Sequence, residues 1–522
     1  MLKNRLIPVV VVTALGASMA AQAAAGTNTR HPAVVYPARR AAMLAERAFE
    51  ARMAARLRPH LAIPARSLAG TAPRSAWSAF RIDSVRAVQR DTVPSNNGAE
   101  TDTVAEPSIA IDPANPLVML TGAQEGRFSN DGAVETGYAT SQDGGRTWAD
   151  GNLPKLTTAV GGPFQRSTDI AVAFAPRGTA YAETGSYDQT NPTSTIAVQA
   201  STNGGLTFGR PSLVTDDHDP MILNDKNWIA VDTFAHSRYY GRIYAVWSRF
   251  ITTVIGKHAV THAPGTVSYS DDQGRTWSPM HFITAADANT EDLLPLVQPD
   301  GSVTVTYLLT VGTKDYEMAQ TSHDGGATWG APVKISAFLG SELPGMRTGL
   351  APAAAADPST GLLYATWQDT RYNSRGLNDI VLSVSADGGR TWSTPRVVNP
   401  QIPGLDRFSP AIAAAGGAVH IIYGTRGGNG TAPVVTEDYI SSADGGKTFG
   451  PEFQLGPPSE VRWASVTASD VNGAPAIFFG DYTGASATPQ HAAFAWCVSS
   501  KPPVTGRYHQ LMWVATVSRR DR

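Results

Sequence analysis

Three arginines stand at matching places in this chain, each just past a short apolar run. Arg249 follows Trp247-Ser248, Arg371 follows Trp367-Gln368-Asp369-Thr370, and Arg426 follows Tyr423-Gly424-Thr425. A guanidinium fork grips a carboxylate bidentately, and aromatic faces stack on planar or ring-shaped ligands. Trp247, Trp367 and Asp369 therefore join the arginines as candidate binding residues. A fourth run ends in Phe479-Gly480-Asp481-Tyr482, which adds a carboxylate and a phenol. The starts of other runs add Asp169, Asp225, Lys226, Glu291, Asp292, Arg347, Arg407 and Arg462. Any one of these could simply bond a neighbouring strand. As a set, arginines, acids and aromatic walls suit a carboxylated or hydroxyl-rich ligand. No pair among the 11 histidines has metal-ligand spacing on a helix, and no metal or cofactor is expected.

The elements that must position these residues are marked by a repeat. Six segments read Ser-x-Asp/Asn-x-Gly-x-Thr-Trp/Phe: 141–148 (SQDGGRTW), 201–208 (STNGGLTF), 270–277 (SDDQGRTW), 322–329 (SHDGGATW), 385–392 (SADGGRTW) and 442–449 (SADGGKTF). Their third residues are Asp143, Asn203, Asp272, Asp324, Asp387 and Asp444, spaced by 60, 69, 52, 63 and 57 residues. Such a period signals a repeat architecture, with room for one four-stranded sheet per repeat. The motif is a tight turn between strands. Its acid or amide bonds the turn backbone, its glycines take positive φ, and its aromatic residue plugs a gap. Asn203 predicts that the turn needs no negative charge. The grammar before each box is strand, turn, strand, loop, strand. It repeats once more without a box, with strands expected at 465–469, 475–479, 492–498 and 511–517. Residues 79–88 (AFRIDSVRAV) form a candidate strand that joins this last repeat and closes a ring.

The repeated segments resemble the Asp box of sialidase-like (BNR-repeat) β-propellers. The resemblance covers about 350 residues directly and implies an all-β propeller of four-stranded antiparallel blades. Seven blades fit the repeat count, with six as the alternative. It further implies that the boxes sit on the rim and do no chemistry, while the opposite face carries the ligand. By this resemblance Arg249, Arg371 and Arg426 would hold a substrate carboxylate and Tyr482 would be the nucleophile. Glu291 would assist it, Asp169 or Asp225 would be the acid, and Asp481 would stand beside Tyr482 in the catalytic set. The chain departs from the sialidase pattern at Phe80-Arg81-Ile82-Asp83, where Asp replaces the proline of the first arginine motif.

Composition limits the alternatives. The 522 residues carry a formal net charge of −2 and only 16% charged residues, which leaves no basic field for nucleic acid. The single cysteine, Cys497, excludes an internal disulfide. Residues 1–25 have a basic start, an apolar run and small residues before a cleavage point, the pattern of a signal peptide. A secreted or periplasmic location is therefore expected, without a membrane-spanning segment once the signal is removed. Residues 26–75 alternate arginine with Ala, Leu and Met and read as a helical linker or pro-segment, leaving 76–522 for the propeller. The expected protein is a monomeric glycoside hydrolase of sialidase type acting on terminal acidic sugars. A non-catalytic carbohydrate- or protein-binding propeller of the envelope and a polysaccharide lyase are the alternatives.

Overall fold

The structure is a computed structural model that describes residues 79–93, 98–256, 258–428, 430–467 and 475–520. The expected signal peptide and arginine-rich pre-segment lie outside these residues.

Antiparallel four-stranded units follow one another along the chain. The first comprises Val104–Ile111, Met119–Arg127, Ala133–Ser141 and Ala149–Asn152. The next runs from Arg166–Phe174 to Ser212–Asp217. Further units begin at Ile222–Val231, Thr290–Val297, Ala353–Ala356 and Asp406–Ala415. The C-terminal unit is built from Gly484–Ala487, His491–Ser499 and Gln510–Arg519, and its outer strand is Phe80–Gln89 from the other end of the chain. Val104–Ile111 packs against this last unit as well as against Arg166–Phe174, so the succession returns upon itself. Each sheet is sandwiched between two others, which explains why strands such as Leu363–Asp369 and Ala418–Arg426 are buried at every position. The core lies between units: Leu120, Ile170, Phe174 and Phe208 fill one junction, and Tyr244, Val246, Leu293 and Tyr307 another.

The boxes fasten these junctions. In the first, Ser141 Oγ donates to Asp143 Oδ1 (2.9 Å) and accepts from the Gly145 amide (2.8 Å). Asp143 also accepts from the Thr147 amide (2.9 Å) and hydroxyl (2.6 Å). The same bonds recur around Asp272, Asp324, Asp387 and Asp444. Asn203 keeps the geometry by donating its amide to the Thr207 hydroxyl (2.9 Å). The fifth-position glycine of each box meets the preceding unit. A Cβ on Gly145 would lie 2.6 Å from Thr516 of the last unit, and one on Gly326 would lie 3.2 Å from the Tyr244 ring. The closing aromatic fills the same seam, as Trp148 does beside Ala493, Met512 and Val514.

The C-terminal region differs from expectation. Ser465–Thr467 and Ala476–Phe478 pair with each other, and the latter pairs in parallel with Met346–Arg347. They form a separate small sheet instead of the first half of a box-less repeat. The innermost strand there is Gly484–Ala487 (GASA), which has no β-branched or aromatic residue to mark it in the sequence. Tyr482 therefore leads into an innermost strand; it does not end a second one. Phe80–Gln89 pairs along nearly its whole length with Gln510–Arg519, as expected of a closing strand.

Candidate functional site

The innermost strands share a defect at one end, the end opposite the boxes. Their pairing slips between Ala105 and Ser108, Thr168 and Ala171, Asp225 and Trp228, Glu291 and Leu294, and Phe408 and Ala411. Within each slip one residue is left-handed: Glu106 (φ 56°), Asp169 (48°), Lys226 (52°), Asp292 (56°) and Ser409 (46°). A bulge re-aims a side chain, and left-handed non-glycine residues persist only where their surroundings enforce them. Repeated in five units, the bulges gather a collar of polar residues about the axis. Before Ala353–Ala356 the matching residue is Gly349 (φ 49°), where a Cβ would lie 2.0 Å from the Asp481 carbonyl oxygen. Asp481 thus takes the place that a side chain would occupy.

Asp481 is the centre of the collar. It accepts from Lys226 Nζ (2.6 Å) and Arg347 Nε (2.8 Å), and a second Arg347 nitrogen also reaches it. The side chains of Lys226 and Asp481 are 7% and 5% exposed. Burial opposes the Asp481 charge, but Arg347 and Lys226 outweigh it and hold the carboxyl well below its ordinary value. Burial likewise opposes the Lys226 charge, and Asp481 and Asp169 overcome it to raise the ammonium pKa. Arg347 comes from the small sheet formed with Ala476–Phe478, so the connection between two units supplies a cation to a third.

Glu106 lies on the other side. Its carboxylate oxygens face the Asp481 amide (3.3 Å) and the Gln124 amide. Burial first, then Asp169 and Asp481, push its carboxyl up to about 8. The Gln124 amide also donates to Thr168 Oγ1 (2.8 Å), which donates to Asp169 Oδ2 (3.0 Å). Asp169 Oδ1 accepts from the Tyr482 hydroxyl (3.4 Å). Burial, Asp169 and Glu106 raise the phenol well above its usual value. The Tyr482 ring stands edge-on to Trp228, with centroids 5.4 Å apart at 81°. Beyond the collar, between the inner strands, lies a cavity of about 760 Å³ including its mouth, lined by Lys226, Trp228, Leu294, Ile412 and Tyr482 among others.

Of the residues singled out from sequence, Asp169, Lys226, Arg347, Asp481 and Tyr482 come together here, and Asp292 occupies a matching bulge. Asp225 and Glu291 each sit one place before the left-handed residue of their strands and pair in the ladder, opposite Ser248 and Leu308. The three arginines share no partner. Arg249 binds Asp217 bidentately (2.5 and 2.6 Å) and is buried. Arg371 binds Asp369 (2.9 Å) and the Ala337 carbonyl (2.6 Å). Arg426 donates to the Ala432 carbonyl (2.7 Å), and burial lowers its pKa to about 10. Trp247 and Trp367 are 0% exposed and donate their indole N–H to Asn224 (2.8 Å) and Asp369 (2.9 Å), so neither offers a ligand an aromatic face. Asp369, also 0% exposed, is spent on Trp367 and Arg371. Arg407, another residue noted at a strand start, is wholly buried.

Glu106 and Arg127 were not among the candidates. Arg127 is buried over the Phe478 ring (3.8 Å), with Glu106 near enough to favour its charge. Glu106 directly precedes Pro107, and a proline gives no sign in the sequence of a strand running through it. Only the bulge, invisible in the sequence, carries the strand upstream through it.

In comparisons with known proteins, a BNR/Asp-box repeat model matches residues 268–279. A sialidase of Micromonospora viridifaciens is 24% identical over 343 residues, which cover 61% of this chain and 49% of that protein. The chain thus spans about half the length of this curated relative. Among solved structures, the phage phi92 endosialidase superposes with a TM-score of 0.44 at 11% identity, covering 85% of this chain and 70% of that one. A Hadza microbial sialidase, Hz136, gives a TM-score of 0.41 at 14% identity, covering 74% of each chain. The boxes, the strand pairing and the sequence match together make this a sialidase-like, all-β propeller of BNR/Asp-box repeats.

Proposed function

We propose that the protein acts on glycans at the collar, as an exo-glycosidase of sialidase type that removes terminal acidic sugars. The observation that carries this is Tyr482, on the wall of the cavity with Lys226, its hydroxyl directed at Asp169; Arg347 and Lys226 meet at Asp481 behind it. In this reading Asp169 takes the phenol proton as the Tyr482 oxygen bonds to the anomeric carbon. The departing oxygen takes a proton from a neutral carboxyl. Glu106, held up to about 8, is in that form at pH 7. Water then attacks the same carbon and gives a proton to the Glu106 carboxylate, while the bond to the Tyr482 oxygen breaks and Asp169 returns the phenol proton. A phenol suits an anionic sugar because a carboxylate nucleophile would be repelled. Lys226 and Arg347 would favour the substrate's negative charge. The traced units support a ring of seven blades, and the terminal pattern supports export.

A second reading rests on a specific observation. Lys226, Asp481 and Glu106 are nearly closed to solvent and well bonded, as expected of a network that holds blades together in a non-catalytic binding propeller. Release of a fluorogenic group from an α-sialoside and from a panel of other glycosides separates the two. The hydrolase reading expects turnover that falls at least about a hundredfold in Tyr482→Phe, with folding intact. Absence of turnover across the panel, with glycan binding retained, favours the second reading.

A further inference from the structure

One hairpin extends beyond the four-stranded units. Ile243–Ile255 runs past its pairing with Gly265–Ser270 at the collar end, and its last residues pair with His258–His262. Leu223, Phe250 and Ala263 form a small core of their own that braces the base of this hairpin. At its tip Val254 and Ile255 are 54% and 64% exposed. Among the described residues, no strand pairs with the far edge of His258–His262. The next residue shows which way that edge faces. The Ala263 amide donates to the Ala288 carbonyl (2.8 Å) and its carbonyl accepts from the Thr290 amide (2.9 Å), so Ala263 points away from Ile243–Ile255. Backbone groups alternate sides along a strand, so Thr261 and Ala259 point the same way, with no strand to meet them. Open edges recruit other strands, and proteins blunt them with charge, proline or brevity. The outer strands of the units are blunted in these ways. Ser212–Asp217 ends in two aspartates, Val333–Phe338 carries Lys334, Phe453–Glu460 carries two prolines, and Phe80–Gln89 carries Arg81, Asp83 and Arg86. The others are four residues long or shorter. His258–His262 (HAVTH) is longer than those and has neither a proline nor an acidic, lysine or arginine residue.

We infer that this edge pairs antiparallel with the same edge of a second copy of the chain. The strand is self-complementary about Val260. Turned about a two-fold axis at Val260, it sets Ala259 opposite Thr261 of the second copy. These are the outward-pointing residues, so each such pair exchanges both of its backbone hydrogen bonds. Val260 then meets its own counterpart, and His258 meets His262 of the second copy. The contact is isologous, each copy offering the other the same five residues. Such an interface is small, so its dissociation constant should be on the order of 10–100 μM, and the chain is monomeric when dilute. The inference is independent of the chemistry at the collar.

Sedimentation velocity of the full chain at about 1 to 500 μM, which brackets that constant, should show a reversible monomer–dimer equilibrium. Val260→Lys sets two ammonium groups face to face on the axis. Ala259→Pro removes an outward donor and leaves the bonds to Ile243–Ile255 in place. Each should keep the chain monomeric throughout that range, with an unchanged melting midpoint. Val260→Cys should cross-link copy to copy with copper phenanthroline as oxidant, at least about tenfold faster than Ile255→Cys on the exposed tip, because position 260 meets itself and position 255 does not. Cys497 is buried and does not compete. A chain that stays monomeric to the highest concentration overturns the inference. So does a dimer that survives both Val260→Lys and Ala259→Pro, and so does a Val260→Cys chain that cross-links no faster than Ile255→Cys.

Discussion

Lys226 and Asp481 are charges that the fold could not leave single. Each is almost fully buried; Asp481 overcomes the cost of burial through Arg347 and Lys226, and Lys226 does so through Asp481 and Asp169. Replacing Lys226 with Met should therefore destabilise the protein by about 3–5 kcal/mol, read as a lower urea midpoint, because it leaves a buried carboxylate with one cation. Loss of less than about 1 kcal/mol would mean that water reaches Asp481. Another buried acid makes a different prediction. Glu183 is 0% exposed, neither of its carboxyl oxygens has a hydrogen-bond partner among the described residues, and burial raises its pKa well above the ordinary value. Glu135 is raised to about 8, chiefly by burial. Such groups ionise in the unfolded chain near 4.5 but stay protonated in the folded one. The folded state therefore binds more protons between pH 4.5 and 8, and stability falls as pH rises through that window. Glu183→Met removes one of these protons. Its stability should fall less steeply with pH, by up to about 1.4 kcal/mol per pH unit, in urea titrations from pH 5 to 8. An unchanged slope would show that Glu183 is ionised in the folded protein.

The box is the element that repeats most faithfully, and it was the most legible. Its Ser, Asp, Gly and Thr all bond within a few residues, so the local sequence suffices to specify the turn. Asn203 shows how much of the acid is needed. The amide satisfies the same hydroxyl and amide groups without a charge. Asp272→Ala should cost about 1–2 kcal/mol through lost turn bonds, and Asp272→Asn markedly less, in parallel denaturant curves. Equal losses would mean that the charge itself holds the turn. The collar was less legible for the converse reason. Asp169, Lys226 and Asp292 were noted as strand starts, but their convergence depends on bulges set by packing among neighbouring units. The arginines read ambiguously because a strand-end guanidinium looks the same in sequence whether it meets a ligand or, as Arg249 does, Asp217 on the outer strand of the preceding unit. Gly484–Ala487 escaped because a strand of small residues carries no pattern, and its place is dictated by close approach to Ile109 in the first unit.

Across the whole molecule, the ring is closed by chain ends that are over 400 residues apart. Phe80–Gln89 is the outer strand of the last unit, and Phe80 packs against His420 of the unit before it, with ring centroids 4.5 Å apart. The first box closes the same seam from the other side through Gly145 and Trp148. With one cysteine and no disulfide, these contacts are what join the ends. Such long-range pairing forms only after costly loop closure, so the seam should be the last part of the ring to form. Removing the closing strand would strip hydrogen bonds from Gln510–Arg519 and leave it as an exposed, largely apolar edge able to pair with other chains. A chain beginning at residue 91 should therefore unfold at a midpoint lower by 10 °C or more and tend to associate, as seen by calorimetry and light scattering. A synthetic 79–90 peptide added in excess should restore much of the loss, because binding only the folded form raises stability by mass action. If the shortened chain stays monomeric with an unchanged midpoint, the contact of Val104–Ile111 with His491–Ser499 alone holds the ring. The outer strand would then be a covering for the last sheet and not its fastening.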